Sequence, residues 1–131
     1  MSSAINTALS GLNAASKRLE NSANNIANQF STSTSLNGVT SNTPYVPTDI
    51  DQVSLSAGGV QALVKQRENA TTQAYDPTNP AANEDGLVTY PNVDTAQELI
   101  SQQVAAYDFK ANLKTIKVAD EMQQSLLDII S

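Results

Sequence analysis

Three amides, Asn24, Asn25 and Asn28, stand in the stretch SANNIANQF, residues 22–30, among neighbours with helical spacing. Each costs roughly a few tenths of a kcal/mol or more relative to alanine in a helix, because the short polar side chain competes for backbone hydrogen bonds. An amide offers two donors and an acceptor oxygen, so its chemistry is recognition, fixing the register of one helix against another. The other polar groupings converge on no reaction. Asp76, Glu84, Asp85 and Asp94 are close in sequence, yet DPTNPAANEDG does not place oxygen donors at calcium-loop positions, and its carboxylates read as hydrated turn residues. Ser31, Ser33 and Ser35 have no histidine base, Lys65 with Arg67 reads as a charged strand surface, and SAGGV lacks the spacing and following lysine of a phosphate cradle. The expectation is a protein with no catalysis, no cofactor and no required metal.

Composition narrows the classes further. Cysteine and histidine are both absent, which removes disulfides, thiol catalysis, imidazole bases and the commonest zinc ligands. Seven Lys and Arg stand against 13 Asp and Glu, for a net charge of -6, and the cations are scattered rather than concentrated in a footprint for phosphates. Nucleic acid is therefore excluded as a partner. No charged segment followed by an apolar run of about 7–15 residues opens the sequence, and no stretch approaches the roughly 18 apolar residues of a membrane span. No membrane insertion is expected, and export, if it occurs, needs a route other than a cleaved signal of that type.

The elements that must hold the amides are two helices at opposite ends. Ile5, Leu12, Leu19 and Ile26 step by sevens, with Leu9, Ala23 and Phe30 filling the same stripe, and predict a helix over residues 3–29 with one narrow seam. Ser2 or Ser3 is placed to cap it, and STSTSLNG, residues 31–38, predicts a turn after it. Beyond YPNVD, Asp94 with Gln97, or Thr95 with Glu98, predicts a second helix starting near residue 94. Ile100, Val104, Tyr107, Ala111, Val118 and Met122 line one side of it, and Leu99, Ala106, Phe109, Leu113, Ile116, Leu127 and Ile130 occupy neighbouring angles. Between the ends, VSLSAGGVQALVKQ predicts a small hairpin or extended arms about Gly58 and Gly59, and Leu87–Tyr90 a short extended piece. The predicted fold is mainly α, with long terminal helices forming an antiparallel coiled-coil-like pair around a short extended or β-hairpin middle. The expected divisions are 1–30, 31–92 and 93–131. The second helix has more apolar surface than one 27-residue partner needs, which points to other subunits; a monomeric helical hairpin with a loose insert is the plainer alternative.

ALSGLNAASKRLENSANNIANQ resembles the amino-terminal signature of bacterial flagellar rod and hook proteins, and YPNVDTAQELISQQVAAYDFKANLKTIKVADEMQQSLLDI resembles the matching signature at the other end. The two occur in the family's order, at opposite ends of the chain. The segment YDPTNPAANEDGLVTYPNV further resembles the one that precedes the last helix in the small proximal rod protein of C type. The resemblance implies a structural subunit of the basal-body rod that traverses the periplasm, polymerising through its terminal helices into the axial tube. It implies as partners other copies of itself, homologous rod subunits, adjoining basal-body components and the flagellar type III export machinery. On this reading the contact residues are Ile5, Leu9, Leu12, Leu19, Asn24, Asn25, Ile26 and Asn28, with Ile100, Val104, Tyr107, Ala111, Asn112, Val118 and Met122 on the second helix. Alternatives are a hook-related axial component or a non-catalytic helical adaptor.

Overall fold

The computed structural model describes residues 2–32, 35–36, 39–40 and 44–130. Helix α1 spans Ser2–Ala27, so Ser2 and Ser3 lie inside its first turn rather than before it. Its last turn unwinds through hydrogen bonds from Gln29 N to the Ile26 carbonyl and from Ser31 N to the Asn28 carbonyl. The turn expected over residues 31–38 falls partly outside the described residues. Within and just beyond it, Ser35–Leu36 (β1) pairs antiparallel with Val39–Thr40 (β2).

Four longer strands form two further antiparallel pairs. Thr48–Ser54 (β3) and Val60–Gln66 (β4) run in register from Thr48 opposite Gln66 to Ser54 opposite Val60. Gly58 and Gly59, at φ +90° and +91°, supply the left-handed residues that the connecting turn requires. Thr71–Tyr75 (β5) pairs with Leu87–Pro91 (β6), where Val88 is fully buried and Pro91 buried, as is Ala81 in the connection between the strands.

Helix α2 spans Thr95–Ile130. Asp94 caps it, its Oδ1 accepting from Ala96 N (2.9 Å) and Gln97 N (3.2 Å). The competing cap from Thr95 and Glu98 is not used. Thr95 Oγ1 instead donates to Gln29 Oε1, and the Glu98 carboxylate turns toward α1. Contacts between the helices descend α1 as they climb α2, through Ser22 with Glu98, Arg18 with Asp108 and Gly11 with Asn112.

These findings overturn the expected fold class of a mainly α coiled-coil-like pair with a short extended middle. The molecule is two helices combined with a β region of paired strands, and the helix contact is not a seam of large heptad residues. Its buried positions include Ala8, Ala15, Ser22, Asn25, Glu98, Ala105 and Ala119, with Leu12 the one large aliphatic residue among them. The physical reason is that α1 has two neighbours. The β3–β4 hairpin lies along its second flank, where Ala62 is buried, and small residues on α1 allow both neighbours to approach closely. At Gly11 an added Cβ would lie 2.6 Å from Asn112 Oδ1, which shows how near α2 comes. No described helix is long and apolar enough to cross a membrane.

Candidate functional site

The junction of α1, the β3–β4 hairpin and the start of α2 is built on Asn25, whose side chain is fully buried. It sits in the last turn of α1, on the flank shared by the other two elements. Its Nδ2 donates to Glu98 Oε1 (3.0 Å) on α2 and to the Thr48 carbonyl (2.9 Å) at the start of β3. Its Oδ1 accepts from Thr48 N (3.2 Å) and Tyr45 Oη (2.9 Å). Two donors and two lone pairs are thus all used, and the carboxylate on one side with the N–H on the other fix which way the amide points. One turn earlier, Asn21 Nδ2 donates to the same Thr48 carbonyl (2.6 Å) and its Oδ1 accepts from Thr48 Oγ1. Two asparagines therefore grip one strand residue by its backbone and its hydroxyl.

Glu98 is the second centre. It is buried, and its carboxylate meets Asn25, Ser22 and Arg67. Ser22 Oγ lies 2.7 Å from both Oε2 and the Glu98 backbone carbonyl, so one proton is shared between them. Arg67, just after β4, donates Nη2 to Glu98 Oε1 (2.9 Å) and to Asp49 Oδ1 (2.6 Å), and Nη1 to the Asn92 carbonyl (3.0 Å). The guanidinium is held above its ordinary pKa chiefly by the hydrogen bond to Asp49; burial opposes that and Glu98 adds to it. Arg67 N also donates to the Pro47 carbonyl, closing the open end of the hairpin. One cation thus joins β3, β4, the approach to α2 and α2 itself.

This arrangement positions elements and does not transfer protons. The Glu98 oxygens already accept from an amide, a hydroxyl and a guanidinium, and no described buried side-chain N or O lacks a partner. The described residues bring together no group of His, Cys, Asp and Glu that could hold a metal. Asp76 accepts from Thr78 Oγ1 (2.8 Å) and orders a turn, while Asp94 is occupied as a cap.

The contact residues expected from sequence divide sharply. Leu12 and Asn25 are buried; Ile5, Leu19, Ile26, Asn28 and Asn112 are half-buried; Leu9, Asn24 and Ala111 are exposed. Asn28 and Asn112 bond to carbonyls of their own helices, at Asn24 and Asp108. Ile100, Val104, Tyr107, Val118 and Met122 are all exposed, from 42% to 63%, and form an open face of α2. Sequence reasoning did not find Ser22, Thr48, Asp49, Arg67 or Glu98 as a unit. Arg67, read as a charged strand surface, ties the end of the hairpin to α2. A signal for Glu98 existed, because Glu98, Ala105, Asn112 and Ala119 step by sevens and place an acid on a seam of small residues.

Residues 84–129 match the family described as "Flagellar basal body rod FlgEFG protein C-terminal". The chain is similar to the flagellar basal-body rod protein FlgC of Salmonella typhimurium, 32% identical over 122 residues that cover 92% of this chain and 90% of the relative. It is similarly related to FlgC of Agrobacterium fabrum, 32% identical over 133 residues covering 99% and 95%. A shorter likeness, 38% over 48 residues, relates it to FlgC of Aquifex aeolicus, covering 37% of this chain and 36% of the relative.

Proposed function

We propose, from the premise that this chain belongs to the flagellar basal-body rod protein family, that it is the proximal-rod subunit of FlgC type and joins the rod through its terminal helices. Members of the family are structural subunits without catalysis, and the chain is a structural component of the flagellar axis that assembles with other basal-body subunits.

Likeness along nearly the whole chain, the β middle included, supports the C type. The observation that carries the contact surface is the open face of α2. Ile100, Val104 and Tyr107 stand exposed beside a seam that is already closed by small residues, so the fold of one chain leaves them without cover. Other copies and homologous rod subunits cover that face in the assembly, and Asn24 on the exposed flank of α1 contributes an amide between subunits. The subunit passes unprocessed through the flagellar type III apparatus and takes its place in the rod across the periplasm.

A chain carrying Val104→Asp and Tyr107→Asp tests this. Both sites are exposed, so the circular dichroism of the purified chain stays unchanged, whereas the protein is absent from isolated basal bodies and the cells lack filaments. Normal incorporation of the double variant sinks the assignment of the surface. Absence of the unsubstituted chain from isolated basal bodies sinks the placement in the rod.

A further inference from the structure

The β3–β4 hairpin is held to the helices unequally along its length. At its base, Asn21 and Asn25 grip Thr48 by its backbone and hydroxyl, Arg67 N donates to the Pro47 carbonyl, and the Arg67 guanidinium reaches Glu98 of α2. Pro47 and Asn25 are fully buried there. The tip lies about 20 Å away, at roughly 3.3 Å per residue along β4. Among the described residues it has one hydrogen bond to α1, from Val60 N to Ser10 Oγ (3.1 Å).

Apolar packing does not make up the difference. At about 100° per residue, Thr7, Ser10, Ala14, Asn21 and Asn25 share an arc of about 60° on α1, so the seat of the hairpin carries no Val, Leu or Ile. Ala14 is buried on that flank, and Ala62 is the one buried residue of the hairpin, residues 48–66. Val53, Leu55 and Leu63, the larger side chains toward the tip, are 43% to 46% exposed and do not hold it down. At Gly59 an added Cβ would fall against Ser10 Oγ, so the glycine lets the turn lie on the helix but supplies no side chain to pin it. The strands, by contrast, pair over seven consecutive residues, and Leu55 N closes the turn on the Gly59 carbonyl (3.0 Å). The hairpin is thus better joined to itself than its tip is to α1.

We propose that the hairpin is a lever: its base stays clamped while its tip lifts from α1 with the strands still paired. Local opening follows the contacts that must be broken, and here these are one neutral hydrogen bond and the cover over Ala14 and Ala62. Lifting uncovers the small-residue flank of α1 around Ser10 and Ala14 and leaves Asn21 and Asn25 covered. The enclosure of α1 is therefore permanent near its end and reversible nearer its start. The motion does not depend on the rod-subunit reading and is measurable in the purified chain.

The chain has no cysteine, so spin labels go only where one is introduced. Ala57→Cys at the tip and Gln66→Cys at the base, both exposed, are each combined with Asn13→Cys on the exposed side of α1, and the distance between labels is measured by pulsed electron paramagnetic resonance. The tip pair should show a compact and a longer population, and the base pair a single one. Ser10→Ala removes the tip bond while placing a better helix former in α1. It should raise the longer population of the tip pair about fivefold relative to the compact one and leave the base pair as it was. Circular dichroism checks that each chain is folded, and amide exchange at Leu55 should be the same with and without the substitution. A single compact population for the tip pair in both backgrounds overturns the lever. So does a base distance that lengthens with the tip, which would mean that the whole hairpin detaches, or faster exchange at Leu55 in Ser10→Ala, which would mean that the turn frays instead of lifting.

Discussion

Helices α1 and α2 come from the same chain and pack against each other, yet one is enclosed and the other is open. α1 lies between α2 and the β3–β4 hairpin, and it buries Ala8, Leu12, Ala14, Ala15, Ser22 and Asn25. α2 has ten more residues, but among those described it buries Glu98, Ala105 and Ala119 alone. Burial therefore follows the number of neighbours and not the size of the apolar side chains. Small residues on α1 let two partners come close, and the larger aliphatic and aromatic residues of α2 are left facing outward. The fold of one chain encloses α1, and most of the large apolar side chains described on α2 stay exposed.

The strongest way to break this comparison is to remove the acid that couples the two helices. Glu98→Ala leaves Arg67 with a lost partner and deprives Ser22 and Asn25 of an acceptor, and it should cost about 3 kcal/mol in urea unfolding of the purified chain. A loss under about 1 kcal/mol would mean that the junction is not what holds α1 between its neighbours. Asn25→Ala should come next, costing about 1 to 3 kcal/mol because Thr48 N and Glu98 lose a buried partner, whereas Asn24→Ala stays within about 0.5 kcal/mol. Equal effects at the two positions would contradict the enclosure of α1.

Gly11 sharpens the distance between the helices. In an exposed helix, Gly→Ala gains roughly 1 kcal/mol of stability, but here the new methyl meets the Asn112 amide. Gly11→Ala should therefore lose that gain in the natural background and recover about 1 kcal/mol of it when Asn112→Ala is also present, a coupling that a double-mutant cycle measures. The smallest effect on folding belongs to the open face. Ile100→Gln should change the unfolding free energy of the monomer by less than about 0.5 kcal/mol, as expected for an exposed site. A larger loss would show that α2 is covered within its own chain.

The two helices were legible because each carries a local signal. The stripe of Ile5, Leu12, Leu19 and Ile26 marked α1, and Asp94 marked the start of α2 by its capping chemistry. The β3–β4 hairpin was legible from alternation around Gly58 and Gly59, although it begins earlier, at Thr48. Which helix residues would be buried was not legible. Heptad spacing names an apolar stripe, and a second neighbour on α1 rotates the covered arc toward Ala14, Ser22 and Asn25. Of the three amides, Asn25 alone bonds to other elements, and choosing it over Asn24 and Asn28 needed the strand beginning at Thr48, which lies 23 residues away.

By itself, the sequence determined the helical ends, the cap at Asp94, the lack of histidine and cysteine chemistry, and the paired signatures that mark the family. These depend on residue type and short spacing, so they are present before any long-range contact forms. Only the tertiary structure decided that Glu98, Asn25, Ser22 and Arg67 meet, and that α2 keeps an uncovered face. A charge becomes a junction when residues 76 apart, such as Ser22 and Glu98, are brought within 2.7 Å. Whether an apolar stripe is buried or left exposed is settled only by where the rest of the chain packs.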